Sequence, residues 1–220
     1  MTSGSTEHPT GTGDPYPLTF SVDRPDRPLD RLSTAFRIIL IIPIAILLAT
    51  LEGGSYAVEA GNESARYAAG GIGVLFFPVL LMLLFRRKYP RWWYDWNLQL
   101  TRFSNRVTVY LALMDDRYPS TDEEQAVHLN VPYPDAEREL SRGMPLVKWL
   151  LAIPHYIILF FLGIGAIVAT VIAWFAILFT GRYPRSLFTY VEGVLRWSNR
   201  VGAYAFLLVT DRYPPFRLGP

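Results

Sequence analysis

The 220-residue chain contains no cysteine. That excludes disulfides, thiolate nucleophiles and Cys-based zinc or iron–sulfur sites, and it leaves the redox compartment unmarked. Charge of either sign is sparse, with a net charge of +2. Binding of a nucleic acid duplex usually shows as a dense Lys/Arg patch, so no nucleic-acid partner is expected. The three histidines, His8, His128 and His155, sit in a polar tail, an alternating stretch and an apolar run. They are too scattered to form a metal cluster, and neither metal nor cofactor is expected. A Gly-rich phosphate loop, a Ser-His-Asp arrangement and a carboxylate pair poised for acid–base work are also missing. The chain therefore reads as non-enzymatic, with an enzyme acting on lipid as the third-ranked alternative.

What the chain has in quantity is apolar residues. Hydrophobic residues make up 51% and aromatics 15%, and the mean hydropathy is +0.20. These values point to a membrane. Residues 1–16, rich in Thr, Ser, Gly and Pro, cannot bury enough surface to offset chain entropy and are expected to be a disordered tail. They lack the basic and apolar regions of a secretory signal, so the first apolar segment is expected to remain as an anchor.

The rest of the chain carries the same punctuation twice. Arg87-Lys88-Tyr89-Pro90-Arg91, Arg102-Phe103-Ser104-Asn105-Arg106-Val107 and Asp116-Arg117-Tyr118-Pro119 are matched by Gly181-Arg182-Tyr183-Pro184-Arg185, Arg196-Trp197-Ser198-Asn199-Arg200-Val201 and Asp211-Arg212-Tyr213-Pro214. Such duplication is read as two repeats, 17–119 and 127–220, joined by a solvated linker at 120–126. Apolar runs predict spans at about 35–51 and 68–85 in the first copy. The acidic connection between them (Glu52, Glu59, Glu63) faces out under the positive-inside rule. In the second copy, Trp149 to Thr180 runs without a formal charge. One helix of that length would reach about 48 Å. Folding at Gly163-Ile164-Gly165 into spans at about 146–162 and 165–181 instead leaves the basic flanks on one side. Pro43 and Pro154, at matching positions, should kink their spans.

After each hairpin, apolar residues recur at steps of three and four, which predicts amphipathic helices at about 91–113 and 185–209. Before each hairpin, Leu18–Val22 and Val127–Val131 alternate with period two and predict short strands that pair with one another. The expected fold is an all-α integral membrane protein made of two parallel tandem repeats. Each repeat is a transmembrane helical hairpin followed by an amphipathic interfacial helix, with short cytoplasmic strands in addition. It would be a multi-pass protein of a bacterial plasma membrane with both termini cytoplasmic.

Gly181-Arg-Tyr-Pro-Arg185, Arg196-Trp-Ser-Asn-Arg-Val201, Tyr204 and Asp211-Arg-Tyr-Pro-Pro-Phe216 resemble a bacterial, largely actinobacterial, membrane family known as domain of unknown function 4389. The first copy departs from the pattern at Lys88 and Ser120. The resemblance implies an integral membrane protein of unassigned activity and supplies no catalytic residues.

The duplicated arginines Arg102/Arg106 and Arg196/Arg200 lie four apart on their helices. They are candidates for gripping anionic lipid phosphates, or for structural ion pairs with Asp116 and Asp211. The dipeptides Tyr89-Pro90, Tyr118-Pro119, Tyr183-Pro184 and Tyr213-Pro214 read as corners at the membrane interface, because proline ends helices and tyrosine favours the boundary. His155, an ionisable group in an apolar run, has Ile44 at the matching position of the other copy and reads as structural. The expected partners are the lipid bilayer, anionic lipids in particular, and a membrane protein or a second copy of the chain. A small transporter or channel acting as an oligomer is the alternative function.

Overall fold

A computed structural model describes residues 16–51, 71–86, 88–121, 123–136, 138, 140–141 and 143–220. The acidic connection with Glu52, Glu59 and Glu63 lies outside these residues. So does all of the predicted tail except Tyr16.

Two strands, β1 (Thr19–Val22) and β2 (Val127–Asn130), pair antiparallel, with Phe20 opposite Leu129 and Val22 opposite Val127. Their period-two pattern sends Phe20, Val22, Val127 and Leu129 into the core. Ser21 and His128 point outward, where the His128 ring meets Asp23 at 2.8 Å. The fold is thus not purely α.

Beyond β1, Asp30 caps α1 (Arg31–Ala35) by accepting the Leu32 N–H. The chain breaks at Phe36, forms α2 (Arg37–Leu40), breaks again at Ile41 and continues as α3 (Ile42–Leu51). Pro43, without an N–H and with a ring that crowds the preceding turn, accounts for the second break. α4 (Gly71–Arg86) ends shortly before Pro90, which opens the amphipathic α5 (Arg91–Leu111). The expected first pair of spans is therefore replaced by three short helices and a 16-residue one.

The second half differs from expectation more sharply. α6 (Met144–Leu151) passes through a kink at Ala152, next to Pro154, into α7, which is unbroken from Ile153 to Thr180. No hairpin forms at Gly163–Gly165. A glycine within a helix costs only about 1 kcal/mol, too little to fold a strongly apolar run back on itself. Gly165 instead allows close approach: a Cβ there would collide with the hydroxyl of Tyr190, which donates to the Leu162 carbonyl at 3.0 Å. Gly181, at φ 73°, closes α7 in the left-handed conformation that glycine tolerates, and its N–H donates to the Ile177 carbonyl. Among the described residues one helical stretch, Met144–Thr180, is long and apolar enough to cross a membrane. The two-hairpin, multi-pass architecture does not hold.

α8 (Arg185–Ala205) begins after Pro184 and runs antiparallel along α7. Tyr190 meets Leu162, Trp197 meets His155, and Thr210 beyond the helix meets Lys148. Only His155, Ala169, Ala173 and Ile177 of α7 are buried, so the helix lends one narrow seam to the fold. The result is layered. α5 and α8 lie against the sheet, which packs α5 on β2 and α8 on β1. α7, α6 and α1–α3 display large exposed apolar side chains.

Candidate functional site

The duplicated arginines serve the backbone. Arg102 Nε donates to the Leu129 carbonyl at 3.0 Å, and Arg196 Nε donates to the Phe20 carbonyl at 2.8 Å. These two carbonyls belong to residues paired across the strands. Arg106 donates to the Ser120 carbonyl, and Arg200 donates to those of Arg217 and Gly219. Arg196 also pairs with Glu192 at 2.5 Å, one turn earlier on α8. Between the helices, Asn105 and Asn199 each donate an amide N–H to the other's carbonyl oxygen, at 2.8 and 2.7 Å. Beside this amide pair lies a cavity of about 450 Å³.

The candidate carboxylates are held elsewhere. Asp116 takes both Arg27 guanidinium nitrogens and the Asp30 N–H. Burial resists its ionisation, but the Arg27 hydrogen bond and the Asp30 amide outweigh burial and hold its pKa below the ordinary carboxylate value. Asp211 pairs with Lys148 at 2.7 Å and accepts the Ser141 N–H.

Lys148 belongs to a feature the sequence analysis did not single out. It is fully buried, donates to the Thr210 carbonyl at 2.8 Å and sits 5.3 Å from the Tyr204 ring centroid. Arg37, also buried, donates to the carbonyls of Tyr110 and Asp115 and sits 4.0 Å over the Tyr110 ring. The two cations stand six residues before Pro154 and Pro43 respectively. That shared spacing was the available signal. His155 is likewise enclosed: its Nδ1 accepts from Trp197 Nε1 at 3.0 Å, and its ring stacks on Phe216 at 4.0 Å.

The Tyr-Pro corners divide in two. Tyr89 and Tyr183 are buried beside Pro90 and Pro184, which open α5 and α8. Burial pushes the Tyr183 hydroxyl up to about 12. Tyr118 and Tyr213, next to Pro119 and Pro214, are exposed, with rings edge-on to Tyr110 and Tyr204. Beside Tyr183 lies a polar recess of about 230 Å³ in which Arg24, Arg27, Arg182 and Arg185 meet Asp26. Among the described residues no group of three or more His, Cys, Asp or Glu side chains could hold a metal ion.

Among the described residues, these observations define a layered α-helical arrangement with a two-stranded sheet, one helical stretch able to cross a membrane, and a polar layer stitched by arginine–carbonyl bonds. Residues 144–217, covering α6, α7, α8 and the segment after them, match the family described as Domain of unknown function (DUF4389). No curated protein and no solved structure matches the chain.

Proposed function

We propose that the protein is a non-enzymatic membrane component that embeds its apolar layer in the bilayer and binds anionic lipid there. One observation carries this reading: the large side chains left exposed on α1–α3, α6 and α7 are apolar almost without interruption. Phe160, Phe161 and Phe179 are 64%, 65% and 79% exposed, with Ile157, Ile167 and Val171 beside them on α7. Isolated apolar residues at a surface need no explanation, but a contiguous face of this size marks a membrane or partner contact. The transporter alternative has less support. Thr170 spends its hydroxyl on the Ala166 carbonyl and His155 is walled in by Trp197 and Phe216, so neither lines a polar path.

The reading is tested by fractionating cells that express the full chain. The protein should stay in the membrane pellet through alkaline carbonate washing. Phe160→Asp with Phe161→Asp should shift it toward the supernatant, since each phenylalanine withdrawn from lipid forfeits about 1.5–3 kcal/mol. Recovery of the unaltered protein in the detergent-free supernatant would refute the reading.

A further inference from the structure

We infer that the recess at the Arg182-Tyr183-Pro184-Arg185 corner is a binding site for a phosphate group, supplied by the headgroup of an anionic phospholipid. This rests on the membrane reading above and names the site through which it acts. The corner is built by the end of α7. After Gly181 turns the chain, the Leu29 N–H donates to the Gly181 carbonyl at 2.9 Å and Arg24 donates to the Tyr183 carbonyl at 3.0 Å. The segment Arg24–Leu29 is thereby clamped against the corner. Arg24, Arg27, Arg182 and Arg185 line the space between, and Asp26 is the carboxylate in the lining. Arg27 is neutralised from behind by Asp116. Four arginines against these two carboxylates leave the recess at +2.

The geometry suits a phosphate better than a larger ligand. A volume of about 230 Å³ falls below the range of roughly 300–1,000 Å³ that encloses drug-sized molecules. The guanidinium fork matches phosphate oxygens. Arg185 is also the first residue of the 21-residue α8, whose N-terminus receives no side-chain cap. Its backbone dipole adds to the same positive field. Phe179 and Phe175, both exposed, lie on the last turns of α7 before the corner. They offer an acyl chain a surface next to the charged recess, and this favours a lipid over free phosphate.

The other Tyr-Pro-Arg corner supplies a built-in comparison. Lys88, Tyr89, Pro90 and Arg91 line a recess with Tyr133, Pro134 and Asp135. Tyr133 and Ala136 stand there where the first recess has Arg24 and Arg27. With two of the four arginines replaced by uncharged residues and a third by Lys88, that corner should bind anionic lipid more weakly.

Native mass spectrometry of the detergent-purified full chain tests the site. Wild type is compared with R182Q/R185Q and with K88Q/R91Q after exposure to phosphatidylglycerol, phosphatidylcholine or inorganic phosphate alone. Arg24 is left in place because it holds the Tyr183 carbonyl. The expected result is preferential retention of phosphatidylglycerol by wild type. R182Q/R185Q should lose it by about tenfold or more for each arginine, the scale of a hydrogen bond to a charged group. Phosphatidylcholine retention should not change, and K88Q/R91Q should lose less. Unchanged phosphatidylglycerol binding in R182Q/R185Q, with the variant still in the membrane pellet, overturns the site while leaving the membrane reading intact. Displacement of phosphatidylglycerol by inorganic phosphate at equal concentration overturns the lipid as its source.

Discussion

Lys148 shows what a single residue can decide in this chain. A fully buried ammonium survives folding only because the Thr210 carbonyl, the Asp211 carboxylate and the Tyr204 ring surround it. Removing one partner of a buried pair costs about 3–5 kcal/mol, whereas replacing both with neutral groups of similar shape is close to neutral. Lys148→Ala should therefore lower thermal stability in detergent sharply, and Lys148→Met combined with Asp211→Asn should recover most of it. Equal losses in the two variants would mean that the charge pair is not what matters. Asp116 predicts a pH effect of defined sign. Its pKa is lower in the folded protein than the unperturbed 3.8. The Arg27–Asp116 clip thus contributes stability that is fully present above that value and is lost as pH falls through the depressed one. Melting scans below about pH 4 should show this loss in the wild type and a shallower one in Asp116→Asn. Neither the Lys148 pair nor the Arg27 clip could be read from the sequence, because their partners lie 63 and 89 positions apart. Proximity along the chain pointed instead to Arg106 and Arg200, which the fold assigns to backbone carbonyls.

At the scale of elements, local pattern was legible and long apolar runs were not. Alternation identified both strands, and the three-four spacing located α5 and α8 to within a few residues at their ends. Proline marked the break before α3 and the kink between α6 and α7. The Gly163-Ile164-Gly165 turn was wrong for a physical reason. Glycine signals permission, and only packing determines whether the chain uses it to turn or to let a neighbour in. That difference gives paired predictions. Gly163→Ala, where nothing lies within 4 Å of the added methyl, should raise stability by up to about 1 kcal/mol. Gly165→Ala gains the same propensity, but its methyl collides with the Tyr190 hydroxyl and drives it off the Leu162 carbonyl. The clash and a group stripped of its partner, about 1–3 kcal/mol for the latter alone, outweigh that gain and should lower stability. Denaturant melts of the two variants side by side check the contrast, and the same sign in both would contradict the α7–α8 seam described here.

For the whole molecule, composition pointed to the membrane but not to the architecture. An uncharged run tells how much apolar surface exists; it does not tell whether the run folds on itself or stays straight beside an amphipathic partner. Here α8 retraces α7 and covers one seam with Tyr190 and Trp197, while Glu192 and Arg196 of the same helix turn to the backbone of β1. The sheet adds a demand on timing. β1 finds its antiparallel partner more than a hundred residues later, and the Phe20 carbonyl waits for Arg196 on the final helix. Contacts this remote in sequence are slow to form. During synthesis, the strand that leaves the ribosome first is among the last pieces to be completed. Until α8 has been made, Phe20 and Val22 lack the helix that packs against their strand.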